Sequence, residues 1–326
     1  MTITYAQEKE TAIAAVAQAS DLARLCQGQL AALDIVNKED FSPVTITDFS
    51  VQALINMHLK RTFPGDAIMG EEDTLFLRNP QNVLIKQRVI EQIEKIFPNT
   101  PEIAILDAID QGGSKGGPKG RFWVLDPIDG TRGFIQQEQY AIALALVEEG
   151  EVVLGVLGCP RFDLKGHTGG ALFVAVKGQG ATMIPYDTFE RTPLLVKQSQ
   201  QLIYCEPHTL SQTHSHSLAF EVSKKIGAHP HPFRLDSQCK YAHIAHGDAA
   251  IYLRIPTRAS HDEYIWDHAA GAIVVEEAGG KVSDMNGKPL DFSQGASLSK
   301  NTGIVASNGF IHDPVIAAIQ SMRDNS

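Results

Sequence analysis

Arg121-Phe122-Trp123-Val124-Leu125-Asp126-Pro127-Ile128-Asp129-Gly130-Thr131-Arg132-Gly133-Phe134 is the stretch on which the reading of this chain turns. Phe122 to Leu125 is a short apolar run with a Trp and a Val, the composition of a strand, and Pro127 and Gly130 break it. Asp126 therefore sits at a strand end, and Asp129 follows in the turn. The two carboxylates are close along the chain with no cation between them, so each raises the other's pKa unless something positive is held there. A hard divalent cation is the usual answer, because Mg²⁺ takes oxygen ligands and prefers one or two carboxylates plus substrate phosphate. Thr131 adds a hydroxyl beside the pair. Taken alone, the same residues also describe an acidic turn closing a strand, with Asp129-Gly130 as its turn chemistry. A short motif of this kind is decided only by its context.

The context begins with composition. At 326 residues the chain has room for two ordinary domains or one large one. Hydrophobic content of 43% with 20% charged residues describes a soluble globular protein with a substantial core. A net charge of −10 opposes a nucleic-acid-binding surface, which would be basic. Small anionic substrates stay open, since a local site can be positive or metal-loaded on an acidic protein. Cys26, Cys159, Cys205 and Cys239 are scattered without a CxxC pair and read as thiols in a reducing compartment. The N-terminus shows no signal-peptide pattern, and nothing approaches the ~20-residue apolar run that spans a membrane. A cytoplasmic protein is expected, without membrane or nucleic-acid partners.

Working outward, residues 6–33 form an Ala-rich helix with an apolar face. A loop from Lys38 leads to a second helix carrying Val51, Leu54, Ile55 and Leu59, which Thr47 or Asp48 can cap. Ala67 to Met69 is a short strand delivering Gly70-Glu71-Glu72-Asp73, a solvated acidic loop or a source of ligands. Residues 81–97 are helical. Residues 110–120 read as a flexible glycine-rich connection, because the spacing is not GxxxxGK[ST] and a strand follows. Downstream, Tyr140–Val147 and Val152–Leu157 form a hairpin, and Leu172–Val176 continues the sheet. From about residue 208 strand and helix signals alternate. The change of character near 159–170 divides the chain into an α+β part, 1–160, and an α/β part, 161–326. In the second, His214 and His216 lie in a His-rich loop and read as zinc ligands or as surface and anion contacts. Residues 236–247 are a capped helix ending at Gly247, with Ser237 and Lys240 on one face. Arg254 interrupts the apolar strand Ile251–Ile255, as an edge charge or as a contact to a planar anion. Trp266-Asp267-His268-Ala269-Ala270-Gly271 opens a small-residue helix, and Asp267 in its first turn complements the dipole or serves a site.

Asp48, Glu71, Asp126, Asp129 and Asp267 all fall at strand ends or helix starts, where open α/β sheets place their sites. Together they would form an oxygen-only cage suited to Mg²⁺ or Mn²⁺ and not to zinc. Such cations can clamp a phosphate monoester, among the slowest substrates to hydrolyse unaided.

Gly70-Glu71-Glu72, Trp123 to Thr131 and Trp266 to Gly271, in this order, resemble the inositol monophosphatase-like, lithium-sensitive, Mg²⁺-dependent phosphatases. Within them the chain is similar to the 3′(2′),5′-bisphosphate nucleotidases. Ser42-Pro43-Val44-Thr45 with Asp48, Lys119 to Trp123, Asp236 to Ala242, and Tyr252-Leu253-Arg254 carry that finer likeness. The resemblance implies a mixed α/β fold, a layered αβαβα sandwich of two parts with the site between them. It implies two or three Mg²⁺ held by Glu71, Asp126, Asp129 and the Ile128 carbonyl, with Asp267 completing the cage, Mn²⁺ able to substitute and Li⁺ inhibitory. Asp48 and Thr131 would orient and deprotonate the attacking water, with Glu72 assisting. Ser237, Lys240, Arg254 and His216, together with Asp267, would contact a bisphosphorylated nucleotide. The implied reaction removes the 3′-phosphate of adenosine 3′,5′-bisphosphate to give AMP, with its sulfated analogue a second substrate, in a monomer. His246-Gly247-Asp248 departs from relatives, which often carry Arg before Gly-Asp. The residues agree at one point: a bisphosphate leaves a second phosphate to be held, and Lys240 and Arg254 supply a cationic pair. Two other readings stay open, an inositol (poly)phosphate phosphatase with the same cage and a nucleotide sensor without hydrolysis.

Overall fold

The computed structural model describes residues 4–31, 34–37, 43–198, 202–206, 213–228, 232–256 and 263–323, with the side chains of residues 37 and 213–218 outside that description. Its helices are α1 (Ala6–Gly28), α2 (Ile46–Thr62), α3 (Leu75–Arg78), α4 (Val83–Ile96), α5 (Glu102–Asp110), α6 (Thr131–Ile135), α7 (Thr213–Lys225), α8 (Cys239–His246), α9 (Ala269–Glu277) and α10 (His312–Arg323). The strands are β1 (Ile35–Asn37), β2 (Pro43–Thr45), β3 (Ala67–Gly70), β4 (Arg121–Asp129), β5 (Ala141–Glu148), β6 (Glu151–Cys159) and β7 (Ala171–Val176). They continue with β8 (Gly180–Pro185), β9 (Thr192–Leu194), β10 (Tyr204–Glu206), β11 (Phe233–Arg234), β12 (Ile251–Arg254), β13 (Lys281–Ser283) and β14 (Ile304–Ser307).

Strands β3 to β9 lie in chain order in one seven-stranded sheet, parallel only between β3 and β4. Strand β4 shows how the layers arise. Trp123 and Leu125 enter a core with α1, α2, α4 and α5, whereas Phe122 and Val124 enter a second core with α8 and α9. Both faces are covered, so the strand reads as a continuous apolar run instead of an alternation. A five-stranded sheet, ordered β11-β10-β12-β14-β13, turns Cys205, Tyr252, Ile304 and Ala306 toward that second core. Its other face, with Tyr204, Ile251, Leu253 and Val305, packs on α7 and α10. The result is five layers, αβαβα, a mixed α/β sandwich.

The middle helix layer sits close to its sheet because small residues face it. A Cβ added at Gly155 on β6 would stand 2.5 Å from Ile273 Cγ2 and 2.8 Å from the Ala270 carbonyl of α9.

Several local expectations shift. Helix α1 stops at Gly28, short of residue 33. Thr45, not Thr47 or Asp48, caps α2, with Asp48 closing a capping box. The glycine-rich connection is tied to β3, since the Gly70 N–H donates to the Gly112 carbonyl at 2.8 Å and the Ser114 N–H to the Ile68 carbonyl at 2.9 Å. Strand β12 is interior, with β10 and β14 on either side, so Arg254 is no edge charge. The 160/161 division falls between β6 and β7, which pair from Leu154↔Val176 to Cys159↔Ala171, and the change of sheet comes between Leu194 and Tyr204. Among the described residues no helix is long and apolar enough to cross a membrane.

Candidate active site

The ladder between β4 and β5 breaks after Asp126↔Ala143 and resumes at Asp129↔Ala141. Pro127 lacks the N–H that a regular register would use, and the irregularity re-aims the strand end. Gly130 follows with φ 86°, a left-handed conformation that glycine adopts without strain, and starts the short helix α6 at Thr131. It is also a point of close approach: a Cβ there would stand 1.8 Å from the Asp236 carbonyl oxygen and 3.0 Å from Ser237 Cβ.

Around this break the carboxylates gather. One oxygen each from Asp126, Asp129 and Asp267 lie within 4.8 Å of one another. Asp126 is 2% exposed, and its Oδ1 has no hydrogen-bond partner among the described residues. Burial pushes its carboxyl well above the usual range, and Glu71, Asp129, Asp267 and Asp48 push it further. Burial also raises Asp129, to about 6, against the lowering pull of Lys240 and the Gln238 N–H. Asp267 is pushed up to about 7 by burial, with Arg254 opposing and Asp129 adding. Anionic groups held this close, one of them buried and two half-buried, are costly unless neutralised. An all-oxygen donor set with an orphaned buried carboxylate oxygen fits a hard divalent cation.

The neighbouring acids are fixed by their elements. Thr45, at the cap of α2, donates to Asp48 Oδ2 from its N–H at 2.8 Å and from its hydroxyl at 2.7 Å. The other carboxylate oxygen of Asp48 lies 3.4 Å from Thr131 Oγ1, which also donates to the Ile128 carbonyl at 3.1 Å. Glu71 leaves β3 with its N–H on the Leu125 carbonyl at 3.2 Å. Fully buried Gln52 holds the next residue, accepting the Glu72 N–H at 3.0 Å and donating to the Ile109 carbonyl at 3.0 Å.

The second half of the chain supplies the opposite wall. Lys240, 4% exposed in the first turn of α8, donates to the Leu235 carbonyl at 3.1 Å and lies 5.1 Å from the Tyr252 ring centroid. Burial lowers its pKa, with Asp129 opposing. Arg254 ends β12 with Nε 2.7 Å from Glu263 Oε2 and Nη2 3.9 Å from Asp267 Oδ2. Burial would raise Glu263, but the His268 hydrogen bond and Arg254 hold it down at about 2. His268 lies 3.4 Å from Glu263 Oε2 through Nε2 and 2.8 Å from the Tyr241 hydroxyl through Nδ1. A cleft is lined by Asp129, Ser237, Lys240, Tyr252, Arg254 and Asp267 among others, so acids and cations share one opening.

Asp267 sits in a 3₁₀ turn, Ile265–Asp267, ahead of α9 and not in its first turn. The side chains of His214 and His216 lie outside the described residues. His246 Nδ1 is 2.9 Å from Asp248 Oδ2, the oxygen His243 Nδ1 approaches at 3.0 Å. Sequence reading singled out neither Gln52 and Gln238 nor Glu263 and His268. The spacing of Glu263, Asp267 and His268 was an available signal, and those residues do converge.

Residues 6–323 match the inositol monophosphatase family. The 3′(2′),5′-bisphosphate nucleotidase of Schizosaccharomyces pombe is 39% identical over 344 residues, spanning 97% of this chain and 96% of that protein. The 3′(2′),5′-bisphosphate nucleotidase of Oryza sativa is 39% identical over 346 residues, spanning 97% and 94%. Among solved structures, the Thermotoga maritima IMPase superposes with a TM-score of 0.67 at 23% identity, covering 98% of this chain and 99% of that one. The inositol monophosphatase of Anabaena superposes at 0.63 with 20% identity, covering 97% and 96%, and both likenesses concern the fold. With nearly its whole length matched, this chain belongs to the inositol monophosphatase family.

Proposed function

We propose that this chain is a Mg²⁺-dependent phosphatase that removes the 3′-phosphate of adenosine 3′,5′-bisphosphate, giving AMP and phosphate, and that accepts the 5′-phosphosulfate analogue as well. One observation carries the reading: two carboxylates of a cluster suited to a divalent cation, Asp129 and Asp267, line the same cleft as two cations, buried Lys240 and half-buried Arg254. A monoester needs only the first, and a bisphosphate uses both. The relatives named as bisphosphate nucleotidases support the choice.

In this reading Glu71, Asp126, Asp129, the Ile128 carbonyl and Asp267 hold two or three Mg²⁺, with Mn²⁺ able to replace them and Li⁺ inhibitory. Bound there, the cations neutralise the phosphate and act as Lewis acids. The protein's own groups do the rest. Thr131 Oγ1, between Asp48 and the Ile128 carbonyl, orients the attacking water and passes its proton to Asp48. Glu72 supports this through a further water. Ser237, Lys240 and Arg254, with His216, hold the nucleotide and its remaining phosphate, Arg254 as a planar donor and Lys240 as a point charge. The protein acts as a cytoplasmic monomer, and its four cysteines are buried free thiols in keeping with a reducing compartment.

Phosphate release with Mg²⁺ from adenosine 3′,5′-bisphosphate, inositol monophosphate and inositol 1,4-bisphosphate tests the reading, with Asp126→Asn as control. Preference for the nucleotide, lost in the variant, is expected. Preference for the inositol phosphates would overturn the roles of Ser237, Lys240 and Arg254 while keeping the metal chemistry. No release from any of the three, with nucleotide still bound, would make the protein a sensor.

A further inference from the structure

Gln238 is 1% exposed and makes three hydrogen bonds to two segments of the site. Its backbone N–H donates to Asp129 Oδ2. Its side-chain Nε2 donates to the Trp266 carbonyl at 2.8 Å, and its Oε1 accepts the Gly271 N–H at 3.0 Å. Trp266 lies in the 3₁₀ turn that carries Asp267, and Gly271 lies in the first turn of α9 just after it. The residue therefore grips Asp129 with its main chain and, with its amide, the backbone on either side of Asp267.

From this geometry we infer that Gln238 is a positioning residue that sets the separation of Asp129 and Asp267, and so the affinity of the site for its divalent cation. The inference rests on the metal reading above. The chemistry singles out an amide. One partner is a carbonyl and the other an N–H, so the side chain must donate at one atom and accept at its neighbour, which a carboxylate or a hydrocarbon cannot do. The same two partners fix which amide atom is nitrogen. A shift of a few tenths of an ångström between the two carboxylates matters, because Mg²⁺ holds its oxygens at about 2.0–2.1 Å in near-octahedral order. Partners that orient metal ligands typically change metal affinity about 10–100-fold when removed. Gly130 completes the device. The Asp236–Gln238 segment passes directly over it, so the strut meets the Asp129 turn without a side chain between them.

The test is Mn²⁺ binding, followed by electron paramagnetic resonance of the free ion, in wild type, Gln238→Leu, Asp267→Asn and the double variant. The KM for adenosine 3′,5′-bisphosphate at saturating Mg²⁺ is measured alongside. Gln238→Leu is expected to weaken Mn²⁺ binding about 10-fold or more, leave KM within about twofold, and add nothing further in the Asp267→Asn background. Gln238→Met, which keeps the length of the side chain, replaces the leucine variant if that one does not fold. Mn²⁺ affinity within about twofold of wild type, or an equal loss with and without Asp267, overturns the inference alone. A wild type that binds no Mn²⁺ overturns the metal reading and this inference with it.

Discussion

At its acidic end the cleft leaves charge unsettled, and at its basic end charge is settled in advance. Asp126 keeps an oxygen without a hydrogen-bond partner among the described residues, and the carboxyls of Asp126, Asp129 and Asp267 are all pushed upward. Arg254, by contrast, is held by Glu263, which His268 steadies in turn, and Lys240 rests on a carbonyl and an aromatic face. Each arrangement suits what comes to it. In the proposed reading a small cation gives up water only to a strongly anionic cage, and its binding would offset the repulsion. A phosphate arrives already charged and needs donors that are oriented without being free to wander.

The largest effect should come from the unsettled end. Asp126→Asn is expected to lower kcat about 1,000-fold or more, the scale of several kcal/mol of metal-derived stabilisation. The same variant should raise the melting temperature of the metal-free protein, because a buried repulsive charge is gone. Activity near wild type would break the contrast at once. Next, Arg254→Ala should cost about 100-fold in kcat/KM on the bisphosphate, as truncating a charged contact of this kind typically costs about 2–5 kcal/mol. It should also destabilise the fold, since Glu263, 5% exposed, then loses its cation. Restoring the melting temperature with Arg254→Ala/Glu263→Gln, without restoring activity, would separate the two roles. Glu263→Gln alone should be milder, about 5–10-fold in KM with kcat little changed, because Arg254 stays but loses its anchor.

The smallest effect is thermal. Asp129 and Asp267 titrate at about 6 and about 7 in the folded metal-free chain, above the ordinary aspartate value of 3.8. Between these limits the folded state binds more protons than the unfolded one, so metal-free stability falls as pH rises through that window. The melting-temperature gain on adding Mg²⁺ should accordingly be larger at pH 8 than at pH 5, in scans against an EDTA control. Equal gains at both pH values would mean that the cation does not relieve these carboxylates.

Much of this was legible in the chain itself, for identifiable reasons. Strand β4 is apolar throughout because both its faces are covered, and Pro127 with Gly130 marks where it stops. Asp126 and Asp129 then announce themselves by having no local cation. The cap of α2 was harder, since Thr45, Thr47 and Asp48 are all competent and only the register of the helix chooses Thr45. The glycine-rich residues 110–120 hide a backbone attachment to β3 because backbone pairing leaves no side-chain signature. Gln238 was illegible for a related reason: its partners, Asp129, Trp266 and Gly271, come from other segments. An acid among acids is conspicuous, whereas a neutral amide reveals its work only when the strands it joins are in place.

The narrow passage at Gly130 has a consequence for the order in which the molecule comes into being. As synthesis proceeds, the chain has delivered the whole seven-stranded sheet by Leu194, and with it Asp48, Glu71, Asp126 and Asp129. Asp236, Gln238, Arg254 and Asp267 have yet to emerge. The carboxylate cluster is therefore incomplete without the later segment, which packs over Gly130. In the proposed reading, cation binding would wait for that packing, and a side chain at position 130 would meet the Asp236 carbonyl first.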